Sequence, residues 1–445
     1  MNKETDSKLT NNSELAWWQG IDRYCWVVLV IAALGWLFDM MDQQLFNLVR
    51  VQSLRDLLEK VYPDPVLLDG HVKQIGGYIT AIFLIGWSVG GFFFGVLGDK
   101  IGRTRTMIFT ILVYALCTGL TGLAQTWQQY ALCRFLTALG VGGEWAAGAA
   151  IVAEVFPQRS RTMALGVLQS LSTVGNMMAA VITYTIAFIP ASNWRWVYFI
   201  GTVPALLVLW IRKSVKEPEY WKHAKEEAGG QKNLGSIREL ITDRQLLRNT
   251  IAGLLLGIAG IGALWGVSFF GTDLLIGALQ GKPVEEINKL KSIEFFVRQS
   301  GALCGALAFA VVCNRHSRKG AFHLWFALAW ISVLAYFGIV SRFTGDTAFR
   351  VALVLGFIMG FGTLGPLTGY TIYFPELFPT RLRTTGCGIC YNGGRIIAAI
   401  APWLFGSMAK SHGLPIAAAI VSSVYILGFV GTIIGPETKD KPLPE

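Results

Sequence analysis

Several ionisable side chains interrupt long apolar stretches of this sequence, where a charge is costly and usually has a function or a buried partner. Asp39 and Asp42 lie in the apolar run 25–49, and Arg134 lies in the run 128–155. Because Asp39 and Asp42 are close in sequence, a helix places them on one face. If both runs cross a membrane, Asp42 and Arg134 lie about 10 Å below the same surface, since a helix rises about 1.5 Å per residue. This equal depth permits an ion pair.

Such a pair could control the binding of a proton. A carboxylate beside an arginine stays ionised, and desolvation favours its protonated form once the arginine moves away. The pattern predicts that Asp42 takes up a proton when Arg134 turns away, with Asp39 carrying or sensing the same proton; a static buried salt bridge is the alternative. Glu144 follows two glycines near the middle of its run. It is predicted to be either a second proton carrier or a polar anchor to a neighbouring helix.

Arg395 is the best candidate for binding an anion, because it lies well inside the apolar run 386–409. A guanidinium can bind a carboxylate through two parallel hydrogen bonds. The alternative is an ion pair between Arg395 and an acidic residue of another helix. Other polar residues at comparable depth are predicted to line the same substrate site, although helix packing is the alternative use of each. They are Tyr391, Asn392, Gln44 and Gln169.

The composition identifies a membrane protein. Of the 445 residues, 53% are apolar and only 15% are charged, whereas soluble domains carry about 25% charged residues. The net charge of +10 does not indicate a nucleic-acid-binding protein, because the basic residues lie in short connections between apolar runs and form no groove-sized patch. The cysteines lie in or beside apolar runs and are interpreted as packing residues. No metal site is predicted, and no nucleotide-binding or nucleophile–base pattern indicates an enzyme.

Twelve apolar runs are long enough to cross a bilayer, which takes about 20 residues in a helix. The predicted fold is therefore all-α, with twelve transmembrane helices in two pseudo-symmetric six-helix bundles. The predicted spans are 25–49, 75–97, 107–125, 128–155, 163–189, 195–212, 250–279, 293–313, 321–341, 348–375, 386–409 and 414–434.

The distribution of lysine and arginine predicts the orientation. An even number of spans places both termini on one side, and the connections on that side carry most of the basic residues, which is typical of the cytoplasmic side. The predicted segments are a cytoplasmic N-terminal tail (1–24), an N-terminal bundle (25–212), a cytoplasmic linker (213–249), a C-terminal bundle (250–434) and a cytoplasmic C-terminal tail (435–445).

A nine-residue sequence occurs once in each half. Glu154–Thr162 recurs as Glu376–Thr384, with the same Glu, Phe-Pro, arginines and final Thr, and a repeat at this distance indicates a duplicated architecture. Charges on the same predicted face suggest an ion-pair network that holds the helices in one state and releases them in another. The residues predicted for this gating network are Asp99, Arg103, Glu154 and Arg161, together with Gly95, Gly102, Glu376 and Arg383.

These motifs resemble those of the major facilitator superfamily. Gly95–Arg105 is similar to its G-x-L-x-D-x-x-G-R loop, with Thr104-Arg105 in place of the usual basic pair. Arg134–Trp145 resembles the fourth-helix pattern of its sugar-porter and metabolite–proton symporter branches. The two copies of the repeat resemble their E-x-x-P-x-x-x-R loops, and Pro436–Lys439 matches their P-E-T-K tail.

The first helix adds detail to the resemblance. Gly35–Asp42 is similar to the G-W-x-F-D-x-x-D of sialate and lactate proton symporters and to the D-G-x-D of aromatic-acid symporters. Two features depart from these patterns: the run 250–279 lacks the Q-L-S of sugar porters, and Gln43-Gln44 replaces an aromatic pair after Asp42. The resemblance also implies that Asp42 pairs with Arg134, as in proton-coupled sugar porters.

Together, these observations predict a secondary active transporter that couples a proton to the symport of a small organic anion, a carboxylate or sugar acid, by alternating access. One alternative is proton-coupled or facilitative transport of a neutral sugar or polyol; another is a non-transporting sensor on the same scaffold. The predicted partners are a small-molecule substrate and the lipid bilayer, with no nucleic acid and no cofactor besides the coupling proton. The protein is expected to act as a monomer in a bacterial inner membrane.

Overall fold

The computed structural model describes residues 16–59, 61–186, 194–227, 234–398 and 400–445. Over these residues the chain forms α-helices and one short 3-10 helix, Thr380–Leu382, and no strand, which confirms the predicted all-α architecture. The helices are α1 Arg23–Leu58, α2 Pro65–Ile101, α3 Arg103–Gly122, α4 Trp127–Val155, α5 Gln158–Ile186, α6 Trp194–Ile200, α7 Ala205–Ser214, α8 Glu219–Glu227, α9 Ile237–Thr242, α10 Arg244–Ala278, α11 Val284–Arg315, α12 Arg318–Val340, α13 Gly345–Leu377, α14 Arg383–Ala398, α15 Ala401–His412, α16 Leu414–Ser422 and α17 Tyr425–Ile434.

In the described part of the chain, eleven helical segments are long and apolar enough to cross a membrane. Two of the predicted spans, 195–212 and 414–434, are each formed by two consecutive helices, α6–α7 and α16–α17. The break between α6 and α7 contains Gly201 and Pro204, residues that favour turns over continuous helix. The predicted span 386–409 corresponds to α14 and α15, and residue 399 between them lies outside the described residues.

Several helices extend beyond the predicted spans, because an apolar run marks only the membrane-buried part of a helix. α1 continues past 49 to Leu58, and Leu54 and Leu58 on this extension are buried. α2 begins at Pro65, ten residues before the predicted span. The Asp64 side chain accepts hydrogen bonds from the N–H groups of Val66 and Leu67 at 2.8 and 3.2 Å, which caps the helix. Residues 1–15 of the predicted tail, 187–189 of the fifth span and 228–233 of the linker lie outside the described residues.

The helices pack in two groups that meet through two main helix pairs. In the N-terminal half α2 and α3 pack against α4, and α1 packs against α5; in the C-terminal half α11 and α12 pack against α13, and α10 packs against α14 and α17. Between the halves, α2 packs against α14 and α5 packs against α11. The symmetry of these pairs matches the duplicated sequence.

The α2–α14 contact depends on glycine. A Cβ placed on Gly388 of α14 would collide with the backbone carbonyl oxygen of Gly91 on α2. Such close backbone approach requires residues without a side chain, as in other packed membrane helices. The two halves therefore meet backbone to backbone near the residues that form the candidate site.

Candidate functional site

The predicted pair of Asp42 and Arg134 is present in the structure. Arg134 Nη2 of α4 donates to Asp42 Oδ2 of α1 at 2.8 Å, and both side chains are buried. Thr118 of α3 donates its hydroxyl to the other carboxylate oxygen at 2.8 Å. The Arg134 guanidinium also lies 5.3 Å from the ring centroids of Phe46 and Tyr198, and these cation–π contacts stabilise its charge. The role of this pair in proton coupling remains a prediction.

Asp39 and Glu144 form a second acidic pair, next to Tyr114 and one helical turn from Asp42. Both carboxyl groups are buried, and Asp39 interacts with the Glu144 carboxyl group and with the Tyr114 hydroxyl group. Gly35 makes room for this arrangement, since a Cβ at that position would collide with Glu144 Oε1. Two adjacent ionised carboxylates away from water repel each other.

Arg395 lies near this acidic pair, close enough to Asp39 for electrostatic attraction. Its Nη1 donates to Asn392 Oδ1 at 2.6 Å, one turn earlier on α14. Its guanidinium lies 3.9 Å from the Trp87 ring centroid and 4.5 Å from that of Tyr391. No described acidic residue forms an ion pair with Arg395, and its Nε has no hydrogen-bond partner among the described residues. Among the described residues, Arg395 therefore does not form the alternative ion pair with an acidic residue of another helix.

Aromatic rings from both halves surround Arg395. Tyr391 of α14 stacks on Trp145 of α4, with ring centroids 3.7 Å apart and an angle of 13° between the planes. Trp36 of α1 lies 6.4 Å from each of these two rings. Sequence reasoning missed Trp87 and Trp145 as site residues; the available signal was a tryptophan directly after Glu144 in a glycine-rich stretch.

The remaining predicted substrate residues separate into two groups. Asn392 accepts the hydrogen bond from Arg395 and also donates to the Gly142 carbonyl of α4 at 3.5 Å. Gln169 Oε1 accepts hydrogen bonds from Trp145 Nε1 at 3.2 Å and from the Thr371 hydroxyl at 2.9 Å. Both belong to the contact between the halves around Arg395. Gln44 instead accepts a hydrogen bond from Asn47 on its own helix, at 3.4 Å. No described contact joins Gln44 to Arg395.

Most residues of the predicted gating network meet between α2, α4 and α14. Arg103 contacts Asp99 at 3.2 Å and Glu154 at 3.1 Å, and Glu154 also accepts from Arg383 at 2.6 Å. Asp99 accepts from the N–H groups of Thr384 and Thr385 at 3.2 and 2.9 Å. These contacts join the two halves.

Two glycines, Gly95 and Gly102, shape the segment that contains Asp99 and leads into Arg103. Gly102 has a φ of 113°, a conformation that favours glycine, and ends α2 directly before Arg103. Gly95 lies against α14, where its carbonyl accepts a hydrogen bond from the Thr384 hydroxyl at 2.8 Å. The loop is therefore shaped by backbone conformation and held by the opposite half.

Arg161, another residue of the predicted network, lies near two of its other members, Glu376 and Arg383. Its role in gating stays a prediction. Arg161 lies in the first turn of α5 beside Glu376 and Arg318, rather than beside Asp99 or Glu154. Glu376 pairs with Arg318 at 2.8 Å, and Arg318 also donates to Thr162 of the opposite half at 2.9 Å. The chain turns at Pro157 between Glu154 and Arg161, so the two ends of the motif face different neighbours.

Sequence reasoning also missed acids that bind backbone rather than arginine. Glu217 accepts hydrogen bonds from the N–H groups of Thr104 and Arg105 at 3.2 and 3.0 Å. Glu437 accepts from the N–H groups of Arg318 and Lys319 at 3.1 and 3.2 Å. Although burial raises the pKa of Glu437, these N–H donors and those of Thr438 and Lys439 lower it below its ordinary value overall. Glu217 and Glu437 lie in loop motifs, and their positions in the sequence do not indicate which N–H groups they bind.

The sequence is similar to known transporter families and proteins over most of its length. The Major Facilitator Superfamily model matches residues 65–285, and the model "Sugar (and other) transporter" matches residues 293–445. A "Probable 4-methylmuconolactone transporter" of Cupriavidus pinatubonensis is 30% identical over 410 residues, which cover 91% of this chain and 89% of that protein. This chain belongs to the major facilitator superfamily. Another relative, the sialic acid transporter NanX of Escherichia coli, is 28% identical over 411 residues, covering 92% of this chain and 94% of NanX.

Solved structures agree with the major facilitator fold. The proton:xylose symporter XylE superposes with a TM-score of 0.74 at 17% identity, covering 94% of this chain and 98% of that one. This likeness confirms the predicted fold of twelve helices in two bundles. The family models and the relatives confirm the resemblance to the superfamily. The protein is a multi-pass membrane transporter and not an enzyme. The described residues contain no group of His, Cys, Asp and Glu suited to a metal ion.

Proposed function

We propose that this transporter carries a small organic anion, a carboxylate or sugar acid, in symport with protons. The observation that carries the proposal is Arg395, a buried guanidinium that forms no ion pair with any described acid and lies between aromatic faces contributed by both halves. A buried cation without a counter-ion is costly. An anionic substrate supplies that counter-ion. When the substrate has left, Arg395 interacts with the Asp39–Glu144 pair instead.

The acidic groups supply the proton chemistry. The Asp39–Glu144 pair favours holding one proton, and Asp42 can accept another only when Arg134 moves away from it. When the anion binds at Arg395, it competes with Asp39 for that guanidinium and so favours protonation of the acidic pair. Proton and anion then bind together, which is the requirement for symport. Asp39, Asp42, Arg134 and Glu144 are the proposed coupling residues.

The names of the relatives support an acidic substrate. The two relatives named above transport 4-methylmuconolactone and sialic acid, according to their names. A neutral sugar or polyol is the second candidate, because XylE is a proton:xylose symporter of the same fold. The two candidates differ in their use of Arg395: an anion needs its charge, and a neutral sugar does not.

Transport by alternating access requires a releasable contact between the halves. We assign this role to the gating network formed by Asp99, Arg103, Glu154 and Arg383, with Glu376 paired to Arg318 beside it. The proposed organisation has bundles 25–212 and 250–434, with the linker 213–249 and both tails in the cytoplasm. The protein would act as a monomer in a bacterial inner membrane, with a small molecule and the bilayer as its partners and no cofactor.

Uptake into proteoliposomes tests this function. The purified protein is reconstituted, an inward proton gradient is imposed, and labelled carboxylates, sugar acids and neutral sugars are tested in parallel, with protein-free liposomes as the control. We expect gradient-driven accumulation of at least one acid, abolished by a protonophore. If neutral sugars accumulate and no acid does, the anion assignment is refuted. If uptake is the same with and without the proton gradient, the symport assignment is refuted.

A further inference from the structure

A basic pocket, separate from the Arg395 site, lies where the first turn of α5 meets the start of α12 and the C-terminal tail. Its volume is about 530 Å³. It has five basic side chains against two acidic ones, Glu376 and Asp440. The basic residues are Arg159, Arg161, Arg318, Lys439 and Lys441. This excess of positive charge is the first indication of an anion site.

Arg161 is the second indication. The residue is only 7% exposed, and its Nε has no hydrogen-bond partner among the described residues. The hydrogen bond from its Nη2 to the Phe156 carbonyl is long, at 3.5 Å. Glu376 lies near enough to attract it, but two further guanidinium groups, those of Arg383 and Arg318, lie near enough to repel it. A buried guanidinium in this position is destabilising without a counter-ion.

The nearby acids already have other partners. Glu376 receives hydrogen bonds from Arg318 at 2.8 and 3.2 Å and from the Thr438 hydroxyl at 2.5 Å. Glu154 is held by Arg103 and Arg383. Asp440 is exposed, and its contact with Lys439 is 3.7 Å long. Arg161 therefore shares the charge of Glu376 with Arg318 and forms no ion pair of its own among the described residues. An external anion would supply a counter-ion for it.

We propose that the basic pocket binds a phosphate-type oxyanion. Arginine presents its donors in a fork that matches phosphate oxygens, and the lysine ammonium groups add point charges. The basic side chains outnumber the acidic ones by three, which suits a multivalent phosphate better than a single carboxylate. The source of the phosphate is either a soluble anion or the headgroup of an anionic lipid.

The position of the pocket gives the bound anion a regulatory effect. Arg159 and Arg161 belong to the N-terminal half, whereas Arg318, Lys439 and Lys441 belong to the C-terminal half. An anion that contacts both sets binds best when the halves are arranged as in this structure, and it stabilises that arrangement by the difference in affinity. Occupancy would therefore slow the separation of the halves on this face. This inference does not depend on which substrate is transported.

Binding is tested with the full chain in lipid nanodiscs at constant ionic strength. Inorganic phosphate is titrated into discs of phosphatidylcholine, with chloride as the ionic control, and separate discs contain phosphatidic acid without free phosphate. The unfolding temperature is the readout. The variants are Arg161→Gln, Lys441→Gln, and Arg105→Gln as a matched control, since Arg105 is exposed and lies outside the pocket. Lys441 is also exposed, so its replacement leaves the fold intact if Arg161→Gln fails to fold.

We expect phosphate, phosphatidic acid or both to raise the unfolding temperature, and the apparent affinity to fall at least tenfold in the pocket variants but not in Arg105→Gln. A rise with inorganic phosphate identifies a soluble anion, and a rise with phosphatidic acid alone identifies a lipid headgroup. The proposal is overturned if neither probe stabilises the protein more than chloride does. It is equally overturned if Lys441→Gln and Arg105→Gln respond alike, because the effect would then be general charge screening.

Discussion

Tyr391 stacks on Trp145 at 3.7 Å and joins α14 of the C-terminal half to α4 of the N-terminal half directly beside Arg395. The stack and Trp87 confine the Arg395 guanidinium between planar surfaces. This confinement fixes the direction of its donors, which is what binding a carboxylate through two hydrogen bonds requires. The aromatic contact therefore links substrate recognition to the contact between the halves.

Replacing Arg395 by lysine tests that recognition. Lysine keeps the positive charge but loses the planar fork and the stacking on Trp87. We expect the KM for the transported acid to rise at least tenfold in Arg395→Lys, which corresponds to about 1.4 kcal/mol. Arg350→Lys is the matched control, because Arg350 is exposed on α13, and its KM should not change. An unchanged KM in Arg395→Lys would exclude the proposed substrate contact.

The Glu154 prediction concerns the contact between the halves. Glu154 is the shared partner of Arg103 and Arg383, and all three side chains are buried. In Glu154→Gln the two guanidinium groups lose that charge, which we expect to cost about 3 kcal/mol. Amide hydrogen exchange in the segment 383–398 should therefore become faster, because this segment is held across the interface.

Glu219→Gln provides the comparison for Glu154→Gln. Glu219 is exposed and pairs with Lys222 on its own helix, and exposed ion pairs contribute little to stability. Exchange in the segment 383–398 should stay as in the native protein. Equal exchange rates in Glu154→Gln and Glu219→Gln would show that Glu154 does not hold the halves together.

Glycine at position 388 is predicted to be necessary for close helix packing. In Gly388→Ala the new methyl group meets the Gly91 backbone, which cannot move as a flexible side chain could. We expect a loss of about 1–3 kcal/mol from overpacking, visible as a lower unfolding temperature and a lower uptake rate. Gly77→Ala on α2 is the control, since a Cβ there meets nothing within 4 Å. If both variants melt alike, the close approach has no energetic importance.

Glu437 is predicted to stabilise the start of α12 in a pH-dependent way. Burial acts to raise its pKa, but the hydrogen bonds from the N–H groups of Lys439, Arg318 and Lys319 lower it overall. A carboxyl group with a lowered pKa in the folded state stabilises the protein above its unfolded pKa of about 4.3. That stabilisation is lost as the pH falls through the lower, folded value.

Glu437→Gln should therefore lower stability at neutral pH by about 1 kcal/mol, as for other lost helix caps. The difference from the native protein should shrink as the pH drops below the unfolded pKa of glutamate. The unfolding temperature measured across this pH range is the readout, and Glu226→Gln, at an exposed position of α8, is the control. A difference that stays constant at all pH values would contradict the role of the carboxylate charge.

The sequence predicted the architecture and the Asp42–Arg134 pair, because hydropathy and depth are properties of single helices. It listed charged residues for a gating network, but it did not predict which partner each of them has across the halves. Arg161 and Glu154 lie close together in the chain, yet the turn at Pro157 directs them to different partners. The stacking of Trp145 on Tyr391 likewise depends on how α4 and α14 meet, and neither helix encodes that contact by itself.

Helix ends were the other feature beyond reach of the apolar pattern. α1 continues to Leu58, since its last turns are polar enough to leave the hydrophobic run but still pack against neighbouring helices. The breaks within the predicted spans 195–212 and 414–434 depend on local turns. Such turns change hydropathy very little.

The most direct test of proton-coupled transport compares gradient-driven uptake with substrate exchange in Asp42→Asn. Both are measured in proteoliposomes with the acid identified by the uptake panel, and Asp69→Asn, at an exposed position of α2, serves as the matched control. The proposed coupling predicts that Asp42→Asn loses accumulation driven by the proton gradient but retains exchange, while Asp69→Asn retains both. Accumulation by Asp42→Asn equal to that of the native protein would contradict the role of Asp42 in coupling.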